Sequence, residues 1–305
     1  MRWTPSRKQS GSQQSGRPPA AVELSHAGVL AAALPGKGEP PAYAFEHLPP
    51  GALMPGIGEP NLRAPEVVAS AIRTALGNIA AHTRAVTLVL PDAAVRVFVL
   101  DFDSLPSRAD EVVPVLRFRL RKMVPFDVEH AGVSYQVLSQ DKTECRVLVA
   151  VLPGPVLAEY ESAAHAAGYE PGAVLPSSLA ALAALDAQEP VLAACMSGAT
   201  LTTSIAHGQD LLLYRTLDLP TEPELRLTEV QRDIAVAAAY FEDKLAARPR
   251  KLHYAGNGTA GDFARWINDP EFAVVEMTPR RQAGATTALG NLSLAGITGA
   301  LAGVA

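Results

Sequence analysis

The apolar run Leu252-His253-Tyr254-Ala255 is followed by Gly256-Asn257-Gly258-Thr259-Ala260-Gly261, and Glu276 closes the next apolar run. Glycines at this spacing let backbone amides approach a pyrophosphate at a helix N-terminus, and an acidic residue about twenty positions on can hold a ribose hydroxyl. The pattern is that of a nicotinamide-type dinucleotide site in an oxidoreductase. Its position argues against that use, because a dinucleotide fold needs further strand–helix–strand units after the fingerprint and few residues remain. Other constellations are weaker still. The seven histidines (His26, His47, His82, His130, His165, His207 and His253) lack metal-ligand spacing. Gly36-Lys37-Gly38 has none of the rest of a phosphate loop, and no G-x-S-x-G elbow occurs. Asp101 and Asp103 share a face at a strand end and read as solvated carboxylates. Cys145 and Cys195, the two cysteines, sit in apolar runs as lone thiols of a reducing compartment.

A second concentration of chemistry is electrostatic. The segment LRFRLRKMVPF gathers Arg117, Arg119, Arg121 and Lys122 at one predicted helix end, just before Val124-Pro125-Phe126. Val112, Leu116, Leu120 and Met123 recur every three or four residues and give that helix an apolar face to bury. Val124 precedes a proline and is pushed out of helical geometry, so the helix must stop there. Cations near its C-terminal end complement the helix dipole. The chain as a whole carries a net charge of −5, which argues against a general nucleic-acid binder.

The elements that must carry these residues alternate between strand and helix. A length of 305 residues, 48% hydrophobic and 19% charged, suits two domains, or one domain carrying an insertion, with ample core. Residues 1–19, basic and rich in Ser, Gln and Gly, read as a disordered tail without the apolar stretch of a secretory signal. Two strands joined near Ala27-Gly28 follow, then a Pro/Gly-rich passage over 39–61 expected to be mostly loop. Residues 64–79 predict a helix with Pro65 in its first turn. The runs AVTLVLP and AVRVFVLDF predict strands, 107–123 the basic helix, and VSYQVLSQ with CRVLVAVLP a strand pair. A helix stopped at Gly168 comes next, then two or three strands turning at His207-Gly208. A long helix over 228–247 opens on Thr-Glu-Val-Gln, which fits a capping box. A strand, a short helix through Trp266 and Ile267, and the strand FAVVEM complete the series. Residues 285–305 are uncharged and nearly long enough to span a membrane, but their four glycines and little Leu or Ile suit a small-residue helix packed within a domain.

Taken in order, LPPGALMPGIGEPN, APEVVASAIRTAL, VLPDAAVRVFVLDF and FRLRKMVPFDVEHAGVSYQVL resemble the PilM family of actin-like type IV pilus inner-membrane assembly proteins. The resemblance continues through VLVAVLPGPVLAEYESAAHAAGYEPGAVLP, ATLTTSIAHGQDLLLYRTLDL and the YAGNG turn, and so spans about 19–299. The related cytoplasmic domains of type II secretion assembly proteins are a close second. The resemblance implies an α/β, two-lobed, actin-like (RNase H-like) fold with a small inserted α/β subdomain. It places the first lobe at 20–90 and 173–188, the inserted peptide-binding subdomain at 91–172 and the second lobe at 189–305. It also implies a cytoplasmic scaffold at the inner face of the inner membrane that binds the N-terminal peptide of a PilN-like inner-membrane protein. That partner would tether it to the membrane, with self-association left open. Arg117, Leu120, Arg121 and Phe126 are the expected partner contacts, a basic rim beside an apolar groove.

Two departures from the family bear on nucleotide chemistry. The resembled ATPases hold phosphate with two hairpins, each carrying an Asp followed by a Gly. Here the first reads Ala21-Val22-Glu23-Leu24-Ser25 and the second Ala194-Cys195-Met196. A missing carboxylate removes a metal contact, and a side chain in place of glycine obstructs the approach of backbone to phosphate. Gly256 and Gly258 survive as a remnant adenosine turn. The expectation is a pseudo-ATPase with no metal site, no required cofactor and at most weak binding of ATP with magnesium. An active actin-like ATPase is the alternative, with a dinucleotide-dependent oxidoreductase behind it.

Overall fold

The structure, a computed structural model, describes residues 16–36, 39–58, 60–81, 83–185, 188–208, 210–278 and 292–302. The chain divides into two units at 176/177. The first is built on a five-stranded mixed sheet of β1 (Ala20–Ser25), β2 (Gly28–Ala33), β3 (Ala42–His47), β4 (Ala85–Leu90) and β8 (Glu170–Pro176), in the order β3-β2-β1-β4-β8. The three strands β1 to β3 form an antiparallel meander, while β4 runs parallel to β1 and to β8. The β1–β2 hairpin turns where expected. Ser25 closes it, its Oγ donating to the Gly28 carbonyl at 3.1 Å. Helix α1 (Pro65–Asn78) has proline at its start and buries Val68, Ile72 and Leu76. It packs against α3 (Gly154–Ala167), which stops at Gly168 in the left-handed conformation.

Between these elements lies a small subdomain. Strands β5 (Arg96–Phe102), β6 (Gly132–Gln140) and β7 (Cys145–Leu152) form an antiparallel sheet, β5-β7-β6, against which α2 (Ala109–Leu120) packs. Its core joins Val112, Leu116 and Leu120 to Val124, Val128, Val147 and Val149. Helix α2 carries Asp110 and Glu111 in its first turn and Arg117 and Arg119 in its last, the polarity that its dipole favours. Met123, expected on the buried face, lies past the helix end and is exposed. The subdomain's sheet ends at Leu152; α3 and β8 that follow pack with α1 and β4, short of the expected limit at 172.

The second unit repeats the strand plan of the first, a repeat that the sequence does not display. Strands β9 (Val191–Ser197), β10 (Thr200–His207) and β11 (Asp210–Asp218) form the meander, while β12 (Lys251–Gly256) and β13 (Ala273–Glu276) add parallel strands in the order β11-β10-β9-β12-β13. Helices α5 (Pro223–Leu245) and α6 (Ala260–Ile267) cover the sheet through Val230, Ile234, Phe241, Phe263 and Ile267. Helix α4 (Ser177–Leu182) packs against α7 (Ala295–Leu301).

Four readings need correction. The passage over 39–61 contains β3, because AYAFEH alternates well enough to form a half-buried edge strand between prolines. Helix α5 begins at Pro223, and Thr228 lies inside it with Oγ1 donating to the Glu224 carbonyl at 3.0 Å, so the capping box expected there does not exist. The real one is Thr259–Asp262 at the start of α6. Helix α4 and strand β8 were not anticipated. Of 285–305, the described part forms the small-residue α7 inside the unit; the rest, like 1–15 of the tail, lies outside the described residues.

Candidate functional site

The turn between β12 and α6 approaches the end of β9 closely. Gly256 pairs with Met196 and has φ 145°; a Cβ there would sit 2.3 Å from the Met196 carbonyl oxygen. Glycine is required by this contact between strands whether or not any ligand is present. The Asn257 amide then donates to that same oxygen at 3.3 Å. Tyr254 Oη donates to the Asn257 carbonyl at 2.6 Å, and the Tyr254 ring stacks on Phe263 with centroids 4.4 Å apart. Gly258, at φ 77°, leads into the α6 cap.

That helix start is already occupied by acids of the chain. Asp262 Oδ2 accepts from the Thr259 amide and hydroxyl, each at 2.7 Å, and these bonds hold its carboxyl below the usual carboxylate range. Glu276 Oε1 accepts from the Ala260 amide at 2.7 Å. The residue that the fingerprint assigned to a ribose therefore caps a helix. With two carboxylates on the amides where a pyrophosphate would lie, the positive end of the dipole is satisfied and a phosphate would meet like charge. These residues do not fit a dinucleotide.

Beside the turn is a cavity of about 240 Å³ lined by Met196, Gly198, Arg226, Tyr254, Gly258 and Trp266 among others. The volume falls below the roughly 300–1,000 Å³ typical of small-molecule sites. Met196, buried at the end of β9, takes up part of the space that a glycine would leave. Arg226 Nε is buried with no hydrogen-bond acceptor among the described residues, so the cavity favours an anionic or acceptor-rich group over a cation. Arg226, Phe263 and Trp266 were missed from sequence; Arg226 precedes the point at which the helix was expected to start. Among the described residues no grouping of three or more His, Cys, Asp or Glu could hold a metal. Ala194 and Cys195 of the second hairpin are buried in β9, and Ser25 of the first is engaged in closing its own turn.

The residues expected to meet a partner have separate fates. Leu120 is fully buried in the small subdomain's core and offers no surface. Arg117 Nη2 donates to the Ala131 carbonyl at 3.0 Å, tying α2 to the segment before β6. Arg121 pairs with Glu129. Phe126 is half-buried against the same core. The basic helix end is therefore partly architectural: of the four, Arg121 is exposed, Arg117 and Phe126 are half-buried, and Leu120 offers nothing to a partner.

No family model matches the chain, and no curated protein matches it in sequence. Among solved structures it is similar to one described as the PilM-PilN type IV pilus biogenesis complex. Identity is 19%, the TM-score 0.73, and coverage 94% of this chain and 99% of that one. It is also similar to the cytoplasmic domain of EpsL, an inner membrane component of the type II secretion system of Vibrio cholerae. There identity is 15% and the TM-score 0.51, with 92% of each chain covered. At these identities the likeness establishes the fold, the actin-like α/β class expected from the sequence.

Proposed function

We propose that the chain is a scaffold of a type IV pilus assembly platform. In this reading it binds the short cytoplasmic N-terminal peptide of a PilN-like membrane-anchored protein and turns over no ATP. The observation that carries the reading is the end-to-end likeness to the PilM–PilN complex, which extends over the inserted subdomain as well as both sheets. A scaffold role also accords with a chain whose candidate cavity is small and whose hairpins lack acid–glycine pairs. No helix among the described residues is long and apolar enough to cross a membrane, so a membrane-anchored partner would supply the tether. The likeness to the EpsL domain supports the same role in a secretion platform as the second form of this reading.

The test uses a synthetic peptide of the cytoplasmic N-terminus of a PilN-like single-span protein, titrated into the purified full chain by calorimetry. Saturable binding is expected. Phe126→Ala and Arg121→Glu should each weaken it about tenfold, and Arg121→Glu should also reduce its salt dependence, with little change in stability for the exposed arginine. Absence of binding, or equal affinity in both variants, would remove this subdomain from the role.

A further inference from the structure

The C-terminal end of α2 carries a surface that the architecture does not use. Phe118 is 72% exposed, an unusual position for a large aromatic, and it lies opposite the helix face that buries Leu116 and Leu120. Exposed Met123 stands just past the helix end. Arg119 and Lys122 lie among them, both exposed and neither with an ion pair or hydrogen-bond partner among the described residues. The nearby acids do not neutralise them: Glu129 is held by Arg121, and Asp127 accepts from or pairs with His130 Nδ1 at 2.7 Å. The same helix is acidic at its other end, where Asp110 and Glu111 pair with Arg108. An otherwise acidic protein thus concentrates an apolar knob and two free cations at one point.

The geometry points to direct docking of this helix end on an anionic membrane surface. Two features favour a lipid surface over an acidic peptide. The patch is an exposed helix end, whereas peptide recognition uses a groove or an open strand edge. An aromatic body flanked by long cationic side chains is also the pairing that settles at a lipid interface, ring among the headgroups and charges toward lipid phosphates. Each cation near an anionic bilayer contributes about fivefold to partitioning, so two cations with one aromatic give weak, reversible and salt-sensitive attachment. Such attachment would supplement a tether through a partner and does not depend on the function proposed above.

The purified full chain is to be sedimented with phosphatidylcholine vesicles prepared with and without phosphatidylglycerol. Retention is expected only on the anionic vesicles and should fall with added salt. Phe118→Ser and the double variant Arg119→Ser with Lys122→Ser should each lower it, the latter by roughly twentyfold, without shifting the thermal midpoint. A Phe118→Trp variant, read against the parent's own tryptophans, should show a blue-shifted emission on anionic vesicles. No retention on anionic vesicles would overturn the proposal. Undiminished retention in the variants would do the same and assign the binding to the basic N-terminal residues. Capture of a poly-glutamate peptide that these substitutions abolish, with no vesicle binding, would convert the surface into a peptide site.

Discussion

Asp233 shows how a single side chain can be costly and still be kept. It projects from α5 with its side chain only 1% exposed, accepting from Thr203 Oγ1 at 2.8 Å and facing Arg215 Nε at 3.1 Å. Thr203 and Arg215 are cross-strand neighbours on β10 and β11, so the carboxylate joins the helix to two strands. Burial raises its pKa, and the Thr203 hydrogen bond and Arg215 charge offset that only in part. The native state then holds this proton more tightly than the unfolded chain does. Its contribution to stability is therefore fully present in acid, and is lost as pH rises from about 4 through the raised value. Asp233→Asn keeps an acceptor for Thr203 and removes the titration. The stability difference, parent minus variant, should decline from acid to neutral pH; chemical denaturation at several pH values measures it, and a rising difference would mean that the ion pair with Arg215 dominates. Residues of this kind are hard to read from sequence, since an Asp in an amphipathic helix looks solvated until the strands beneath it are known. The same limit made Leu120 look like a contact, although its three- and four-residue spacing with Leu116 and Val112 correctly marked a buried face. Gly256 and Gly258 were legible as a turn, but the reason for Gly256 is a strand pairing with Met196, which no local pattern reveals.

Most elements were legible because their periodicity was clean: the β1–β2 hairpin, the second unit's meander, α1, α3 and the β6–β7 pair all follow from alternation, proline and glycine. The failures share a cause, which is that a local signal lost to a tertiary one. Strand β3 is flanked by prolines and reads as loop, yet β2 offers it a full antiparallel register from Gly28↔His47 to Ala33↔Ala42. Helix α5 extends back to Pro223 past a plausible cap at Thr228, since proline is well placed in a first turn. Helix α7 illustrates a sequence preference whose meaning appears only in packing. Gly299 lies against α4 so closely that a Cβ would be 1.8 Å from the Ala180 carbonyl oxygen. The small residues of this segment serve a helix–helix contact inside the unit. Gly299→Ala should force these backbones apart and destabilise the second unit by about 2 kcal/mol or more. Limited proteolysis should then cut α7 early, whereas Gly77→Ala, with open space around its Cβ position in α1, should leave α7 protected.

At the scale of the whole chain, the two units repeat one strand plan, and in the resembled ATPases each such unit lends a hairpin to the phosphates. In the scaffold proposed above, neither hairpin does that work. In the first unit Ser25 is committed to the turn through Gly28, and the position expected to carry Asp is Glu23. In the second, Ala194 has no solvent exposure and forms part of the core with Leu192 and Ile234, so even an acid placed there would be buried at a cost of several kcal/mol. The remaining turn at Gly256 and Gly258 is backed by two carboxylates that satisfy the α6 amides. Hydrolysis depends on fixing the phosphates and an activated water in one geometry, and loss of the groups that do so costs orders of magnitude in rate. The expected outcome is therefore no phosphate release above background with magnesium and ATP, and affinity no tighter than millimolar, near ~4 kcal/mol. A calorimetric titration, a thermal-shift series and a phosphate-release assay on the same preparation check this together. Micromolar binding with turnover would overturn this expectation, and the scaffold reading would give way to an active ATPase. Micromolar binding without turnover would keep the scaffold and make the nucleotide a structural ligand, which Arg226→Ala should then release by about tenfold or more, since a guanidinium facing phosphate contributes roughly 1.5–3 kcal/mol.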